Sequence, residues 1–473
     1  MASTTTLGGR LLRRKPVATL IAESGTGPGT RLRRSIGLWQ LSGIGIGATV
    51  GTGIFFVLST AVPEAGPAVV LSFAIAAVTA GLTALCYAEL ASAIPVSGSS
   101  YSYAYATLGE AVAFGVGACL LLEYGVSASA ITVTWGQYLD EFCRDTLGFG
   151  IPDAIARPPG HGGYVNLPAA VLVALCCVLL VRGAKESARV NTAMVAVKLA
   201  VLLLFVCVGL TGFHAGNLTP FAPLGIGGIG AAASSIFFSF IGLDAVSTAG
   251  EEVRDPRRTM PLAIITSLAV VTVLYVAVAL TAVGAQPWQR FRGQEAGLAQ
   301  ILRQVTGSSW PSVMFALGAI VSIFSITLVV LYGQTRILYS MGRDGLLPAR
   351  FARLSPRTGT PAWNTVAVGT GVALLGAFVP LDVLADLTSM GTLVAFAVVS
   401  IGVIVLRRTA PELERGFRVP GYPVVPLASV AFCCYLIQGL HGLTFALFGV
   451  WLVGAAVLYL GYGMRHSRLD RPG

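Results

Sequence analysis

Apolar residues in this chain run on in long blocks instead of alternating with polar ones. Twelve such runs can be marked, at about 38–62, 68–92, 108–138, 166–182, 191–213, 229–250, 261–284, 312–340, 363–379, 384–406, 424–442 and 445–463. Most have the roughly 20 residues that carry a helix across a bilayer. The pattern predicts an all-α integral membrane protein with twelve transmembrane helices. Residues 1–35 read differently: they are polar, basic and rich in Gly, Ser and Thr. With no core-forming pattern they are expected to form a disordered cytoplasmic tail. Residues 466–473 form a second short tail.

The first run is interrupted where a helix should be strongest. Gly43, Gly45, Gly47, Gly51 and Gly53 all fall within it. Each interior glycine costs about 1 kcal/mol against alanine. Unwound backbone in a membrane is tolerated only inside protein or beside a watery cavity. Two readings follow: close helix packing through the spacings Gly43/Gly47 and Gly47/Gly51, or a break that offers backbone to a ligand. The sixth run holds a similar interruption, Ser234-Ser235-Ile236-Phe237-Phe238-Ser239-Phe240-Ile241-Gly242-Leu243-Asp244-Ala245. Counted from Arg254, Ile241 is roughly 20 Å deep, near the middle of a ~30 Å core. Paired interruptions in two halves point to a transporter site at the interface of an inverted repeat. The expected organisation is five-plus-five, with broken helices 1 and 6. Repeat one covers about 36–213, repeat two about 229–407, and two extra helices about 424–463, within a transporter domain at 36–465.

Composition agrees with the runs. Hydrophobic residues make up 55% of the chain and charged residues 11%, with mean hydropathy +0.78. A soluble domain carries roughly 25% charged residues. The net charge of +10 raises the question of nucleic acid. Its distribution answers it: 25 of the 31 Lys and Arg lie on one side of the expected topology, five on the other, and Lys198 within a span. That asymmetry puts both termini in the cytoplasm and fits a plasma membrane; no nucleic-acid partner is expected. The eight cysteines form neither a disulfide framework nor a metal-ligand spacing. Phosphate-loop, zinc-protease, kinase and hydrolase signatures are absent. No enzyme is expected.

A charge at mid-helix costs about 2.5–3.5 kcal/mol on insertion scales, so each needs a reason. Lys198 lies nine residues past Arg189, roughly 13 Å deep. It is either a structural lysine bonded to a helix-break carbonyl or a proton carrier standing in for a coupling cation; burial lowers a lysine's pKa and lets it exchange a proton near neutrality. Glu123, beside Tyr124, is either a structural carboxylate or a partner for a substrate cation or proton relay. Glu89 reads as an interfacial charge. Glu251, Glu252 and Arg257, at the inner end of span six, form either a solvated helix end or a cytoplasmic gate.

Several stretches resemble amino acid permeases of the amino acid–polyamine–organocation superfamily. They are Gly47 to Phe55, Ala65-Gly66-Pro67, Cys86 to Leu90 and Ile94 to Ser99. Phe237 to Ser247 with Ala249 to Pro256, Gly333 to Arg336, Met341 to Pro348 and Phe417 to Pro420 resemble the bacterial cationic amino acid transporter branch. The resemblance spans roughly 35–465. It implies that amides of Thr49, Val50, Gly51, Thr52 and Gly53 hold the substrate carboxylate. Carbonyls around Phe238, Ser239 and Ile241 would take its ammonium, and Lys198 would replace a sodium site. A helix N-terminus suits an anion. The implied activity is proton-coupled, sodium-independent uptake of an L-amino acid, with protons as the only coupling ion and no cofactor. Ile323, or Ser322 one residue earlier, would line the side-chain pocket; an isoleucine there favours small or medium neutral substrates. The alternatives are a carrier of arginine, lysine or ornithine, an amino acid exchanger, and a receptor that binds without moving its ligand. The residues neither require nor exclude a small single-span accessory subunit.

Overall fold

The computed structural model describes residues 11, 13–17, 19–20, 36–51, 53–96, 98–182, 188–249, 252–355 and 359–467. Among them all regular structure is helical, apart from the isolated bridges Ile36–Val253 and Pro159–Gly163. This is what hydrocarbon demands, since a helix satisfies its own backbone groups. The helices are α1 (Leu38–Thr49), α2 (Val57–Ala65), α3 (Val69–Ala93), α4 (Ser99–Thr107), α5 (Glu110–Leu147), α6 (Leu167–Val181), α7 (Ala188–Gly209) and α8 (Gly225–Ile236). They continue with α9 (Ala245–Thr248), α10 (Pro256–Ala285), α11 (Gly297–Thr306), α12 (Trp310–Arg343), α13 (Ala362–Phe378), α14 (Leu381–Thr409), α15 (Val424–Gln438) and α16 (Gly442–Leu458). Eight helical runs among the described residues are long and apolar enough to cross a membrane; α6, α13 and α15 are apolar but shorter.

The most apolar stretch of α5 is 72% buried and packs against α12 and α14. The run from Gly442 to His466 is only 17% buried. One is therefore a central post and the other a peripheral helix. Two interruptions coincide with the expected breaks: α1 stops at Thr49 and α2 starts at Val57, while α8 gives way at Phe237 to a short 3-10 turn before α9.

Two expectations change at the face carrying the N-terminus. Glu89 is not an interfacial charge: its carboxylate is 1% exposed and accepts from Arg407 Nε (2.8 Å), Arg407 Nη2 (2.6 Å) and Val419 N (2.7 Å), with Arg415 3.4 Å away. The reason is that the last turn of α14 carries Arg407 to it, while the loop after α14 folds back over the end of α3 and brings Arg415 and Val419. Part of the N-terminal tail is also ordered. Arg13 O accepts from Glu110 N (2.8 Å), Lys15 N donates to Tyr105 O (3.2 Å), and Lys15 Nζ is 3.6 Å from Asp344. Lys15 and Leu20 are buried. The Glu110 carboxylate also takes hydroxyls from Tyr105, Tyr459 and Ser467, so the N-terminal segment, through the Glu110 amide, and the C-terminal one, through its carboxylate, meet at one residue.

Candidate functional site

The two breaks lie against each other. After Thr49 the backbone becomes extended at Val50 (φ −72°, ψ 114°) and Gly51 adopts φ +115°, a region open mainly to glycine. In the second break Ile241 is extended (φ −65°, ψ 147°) and Gly242 has φ +96°. A methyl group on Gly242 would fall 2.6 Å from Ala48 O. One on Gly53 would meet the Ser239 side chain and stand 2.8 Å from the Ser239 Cα. Glycine here is a condition for contact between the breaks. Gly45 packs tightly on Ser267 and Val246, as a packing glycine should, whereas Gly43 has open space around it.

The end of α1 leaves carbonyls without helical partners, and the negative end of the helix dipole favours a cation there. Lys198, 2% exposed on α7, donates from Nζ to Gly47 O at 2.8 Å. Tyr275 OH on α10 donates to Thr49 O at 2.9 Å. Lys198 Nζ also approaches the open side of Gly51, 3.8 Å from where a Cβ would stand. The deep lysine and the broken helix are thus one unit.

The proposed carboxylate cradle becomes narrower. Val50 N is spent on Ile46 O (2.7 Å), and Thr49 lies inside α1, where its amide belongs to the helical ladder. Neither amide is free for a ligand. Gly51 lies between the two half-helices, just past the end of α1, and Gly53 leads into α2, its O accepting from Phe56 N and Val57 N. Thr52 lies outside the described residues. On the second break, Phe238 O accepts from Ile241 N at 3.3 Å, and Phe238, Ser239 and Ile241 are all buried. Aromatic rings cover the α2 side: Phe55 packs on Tyr138 and Phe315, and Phe56 on Phe238 with centroids 5.3 Å apart. The α12 side chain brought to Gly51 is Ile326; Ile323, one turn earlier, is fully buried.

Glu123 belongs to a second polar cluster, at the end of the second break. Its carboxyl is buried, faces Asp244 and Thr392, and neither oxygen makes a hydrogen bond among the described residues. Asp244, before α9, accepts from Ser99 Oγ (3.2 Å) and Tyr124 OH (3.5 Å), and Ser247 Oγ donates to Ser99 Oγ (3.0 Å). Asp244, Ser99, Ser247 and Tyr275 carry no role in the sequence reading; the only signal was a carboxylate deep in span six. Of the candidate gate, Arg257 pairs with Glu414 at 2.6 Å in an exposed position. Glu252 O accepts from Ile36 N (3.0 Å), tying the start of α1 to the end of the second broken helix. Glu251 lies outside the described residues. Arg254 and Arg257 also line a cavity of about 900 Å³ with Ser92, Glu412 and Glu414.

A family model described as amino acid permease matches residues 36–458. The chain is similar to the branched-chain amino acid permease BcaP of Bacillus subtilis, 43% identical over 98% of this chain and 100% of that protein. It is 41% identical to the methylthioribose transporter of the same organism, over 98% of this chain and 99% of that protein. It is also 36% identical to the vacuolar cationic amino acid transporter 4 of Arabidopsis thaliana, over 85% of this chain and 68% of that protein.

Proposed function

We propose that this chain, which belongs to the amino acid permease family, imports small or medium neutral L-amino acids, branched-chain ones included, by proton-coupled, sodium-independent alternating access. It is a multi-pass membrane transport protein and not an enzyme. The proposed topology has twelve crossings in a five-plus-five inverted repeat plus two helices, in a plasma membrane with both termini cytoplasmic. The observation that carries the reading is the bond from Lys198 Nζ to Gly47 O at the end of α1, beside Gly51.

A protonated Lys198 binds the carbonyl end of α1 and steadies the break. Loss of that proton removes the charge-assisted bond, worth roughly 1.5–3 kcal/mol, and frees the inner half of helix 1 to move. The amides from Gly51 onward meet the substrate carboxylate at the positive end of α2, and the carbonyls of the second break meet its ammonium. This recognises the backbone shared by all amino acids. Ile323 and Ile326 give the pocket an apolar wall, which supports a neutral side chain. The similarity to BcaP, named for branched-chain substrates, supports it also. A second reading, transport of arginine, lysine or ornithine, draws on the cationic transporters among the relatives and on buried Glu123.

The test is uptake into sodium-free proteoliposomes under an inward proton gradient, with unlabelled amino acids as competitors. Concentrative leucine or valine uptake is expected. Sodium-dependent uptake would refute the coupling, and competition by arginine but not leucine would favour the second reading.

A further inference from the structure

Burial alternates along the ordered start of the chain. Lys15 is buried and Arg13 and Val17 are half-buried, while Arg14 and Pro16 are exposed. Proline disfavours helix at the residue before it, which suits an extended backbone at Lys15. That backbone meets two helix ends. Arg13 O accepts from Glu110 N (2.8 Å) in the first turn of α5, and Lys15 N donates to Tyr105 O (3.2 Å) in the last turn of α4. Both are groups that a helix terminus leaves without an intrahelical partner. The Lys15 side chain adds a charge to the contact. Its Nζ is 3.6 Å from Asp344 Oδ1 at the end of α12 and 5.9 Å from the centre of the Tyr105 ring. Asp344 Oδ2 in turn accepts from Tyr101 OH on α4 (2.9 Å). Lysine is almost never fully buried unless paired, so Asp344 fixes where this segment docks.

Two residues further on, the same segment reaches a different set of helices. Val17 packs on the core and lines the cavity between the end of α3 (Ser92, Ala93) and the start of α10 (Pro256, Arg257); Leu20 is buried. α1 and α3 both pack on α10, whereas α5 packs on α12 and α13. The segment thus crosses from one packed set to the other. Two residues of chain span at most about 7 Å. With Lys15 held at Asp344 and Val17 at α3 and α10, the two sets cannot part at this face by more than that slack.

We propose that Arg13 to Val17 form a strap that holds the face bearing the termini closed, with the Lys15–Asp344 pair as its fastening. What the strap controls rests on the alternating-access reading above, in which one helix set rocks against the other. On the orientation proposed there this face is cytoplasmic. The strap then has to undock before the inner half of helix 1 swings out and releases substrate. It is a restraint separate from the Lys198 bond, which acts at the opposite end of that half-helix.

Hydrogen–deuterium exchange of the full chain in nanodiscs, without substrate, tests this. Docking is read at 99–112, which includes the Glu110 amide, and opening at 38–49, each relative to 167–181 on α6. Lys15→Met keeps the apolar stem and removes the charge; Asp344→Asn removes the charge and keeps an acceptor for Tyr101. Either should raise exchange at both segments roughly tenfold, the low end for a lost charge-assisted contact. The double variant should add little to either single one, because the two charges act as one pair. Unchanged exchange at 99–112 overturns the docking. Faster exchange at 99–112 with none at 38–49 overturns the strap as a restraint on opening, and additive effects overturn the pair as its fastening. If Asp344→Asn fails to fold, Lys15→Met decides. Uptake is not part of the readout, so sodium-dependent transport would refute the proposed coupling and leave the strap standing, whereas proton-driven uptake with unchanged exchange would remove the strap alone.

Discussion

Gly53→Ala tests the claim that the two helix breaks must touch. The added methyl would stand 2.8 Å from the Ser239 Cα and 2.8 Å from a Phe238 ring carbon. One of those is backbone and cannot rotate away. Phe238 is fully buried and its ring already packs on Phe56. Relief therefore requires the breaks to separate. Overpacking of this kind costs about 1–3 kcal/mol. Taken from a state in which the breaks are in contact, that shifts a conformational equilibrium by about 5–150-fold. The assay is substrate counterflow in proteoliposomes, with thermal unfolding of the purified protein alongside. Gly43→Ala is the control, because it lies in the same helix with open space around it. It should be neutral or stabilising by about 1 kcal/mol, the helix-propensity difference. Gly53→Ala with wild-type counterflow, or equal damage from Gly43→Ala, would refute the reasoning.

Other outcomes follow from named contacts. Lys198→Ala should abolish proton-driven accumulation while leaving counterflow measurable; an unchanged pH dependence would remove Lys198 from coupling. Arg407→Ala strands the buried Glu89 carboxylate and should cost about 3 kcal/mol, the low end for a broken buried pair, since Arg415 stays 3.4 Å away. Thermal melting should show Glu89→Gln destabilised as well, because Arg415, 2% exposed, and Arg407 then face one another without the Glu89 charge. The His441–Asp386 bond should add stability that is full below pH 6.5 and lost as pH rises through the elevated folded value. Melting curves of wild type and His441→Gln should therefore differ in acid and converge in alkali; a gap that widens with pH would contradict that sign.

Sequence alone determined what depends on local pattern. Hydrophobic run length marked the helices, and paired polar and glycine interruptions, Gly43 to Gly53 and Ser234 to Ala245, favoured breaks over close packing; the breaks fall at 50–56 and 237–244. Depth along the run made Lys198 a residue needing a partner near a break. Tertiary structure decided what depends on which faces meet. It assigned the lysine to the carbonyl of Gly47, 151 residues away in the chain. It withdrew the amides of Thr49 and Val50, since the last turn of α1 uses them. It brought Ile326 to Gly51, because helix register cannot be read to one residue from a uniformly apolar span. Glu89 became the centre of an arginine cluster through Arg407, 318 residues later in the last turn of α14, and Lys15 left the tail for a buried place beside Asp344. Apart from the amides at the end of α1, the partner in each case is distant in the chain, and apolar helices of similar composition give no sequence signal for which of them will pack together.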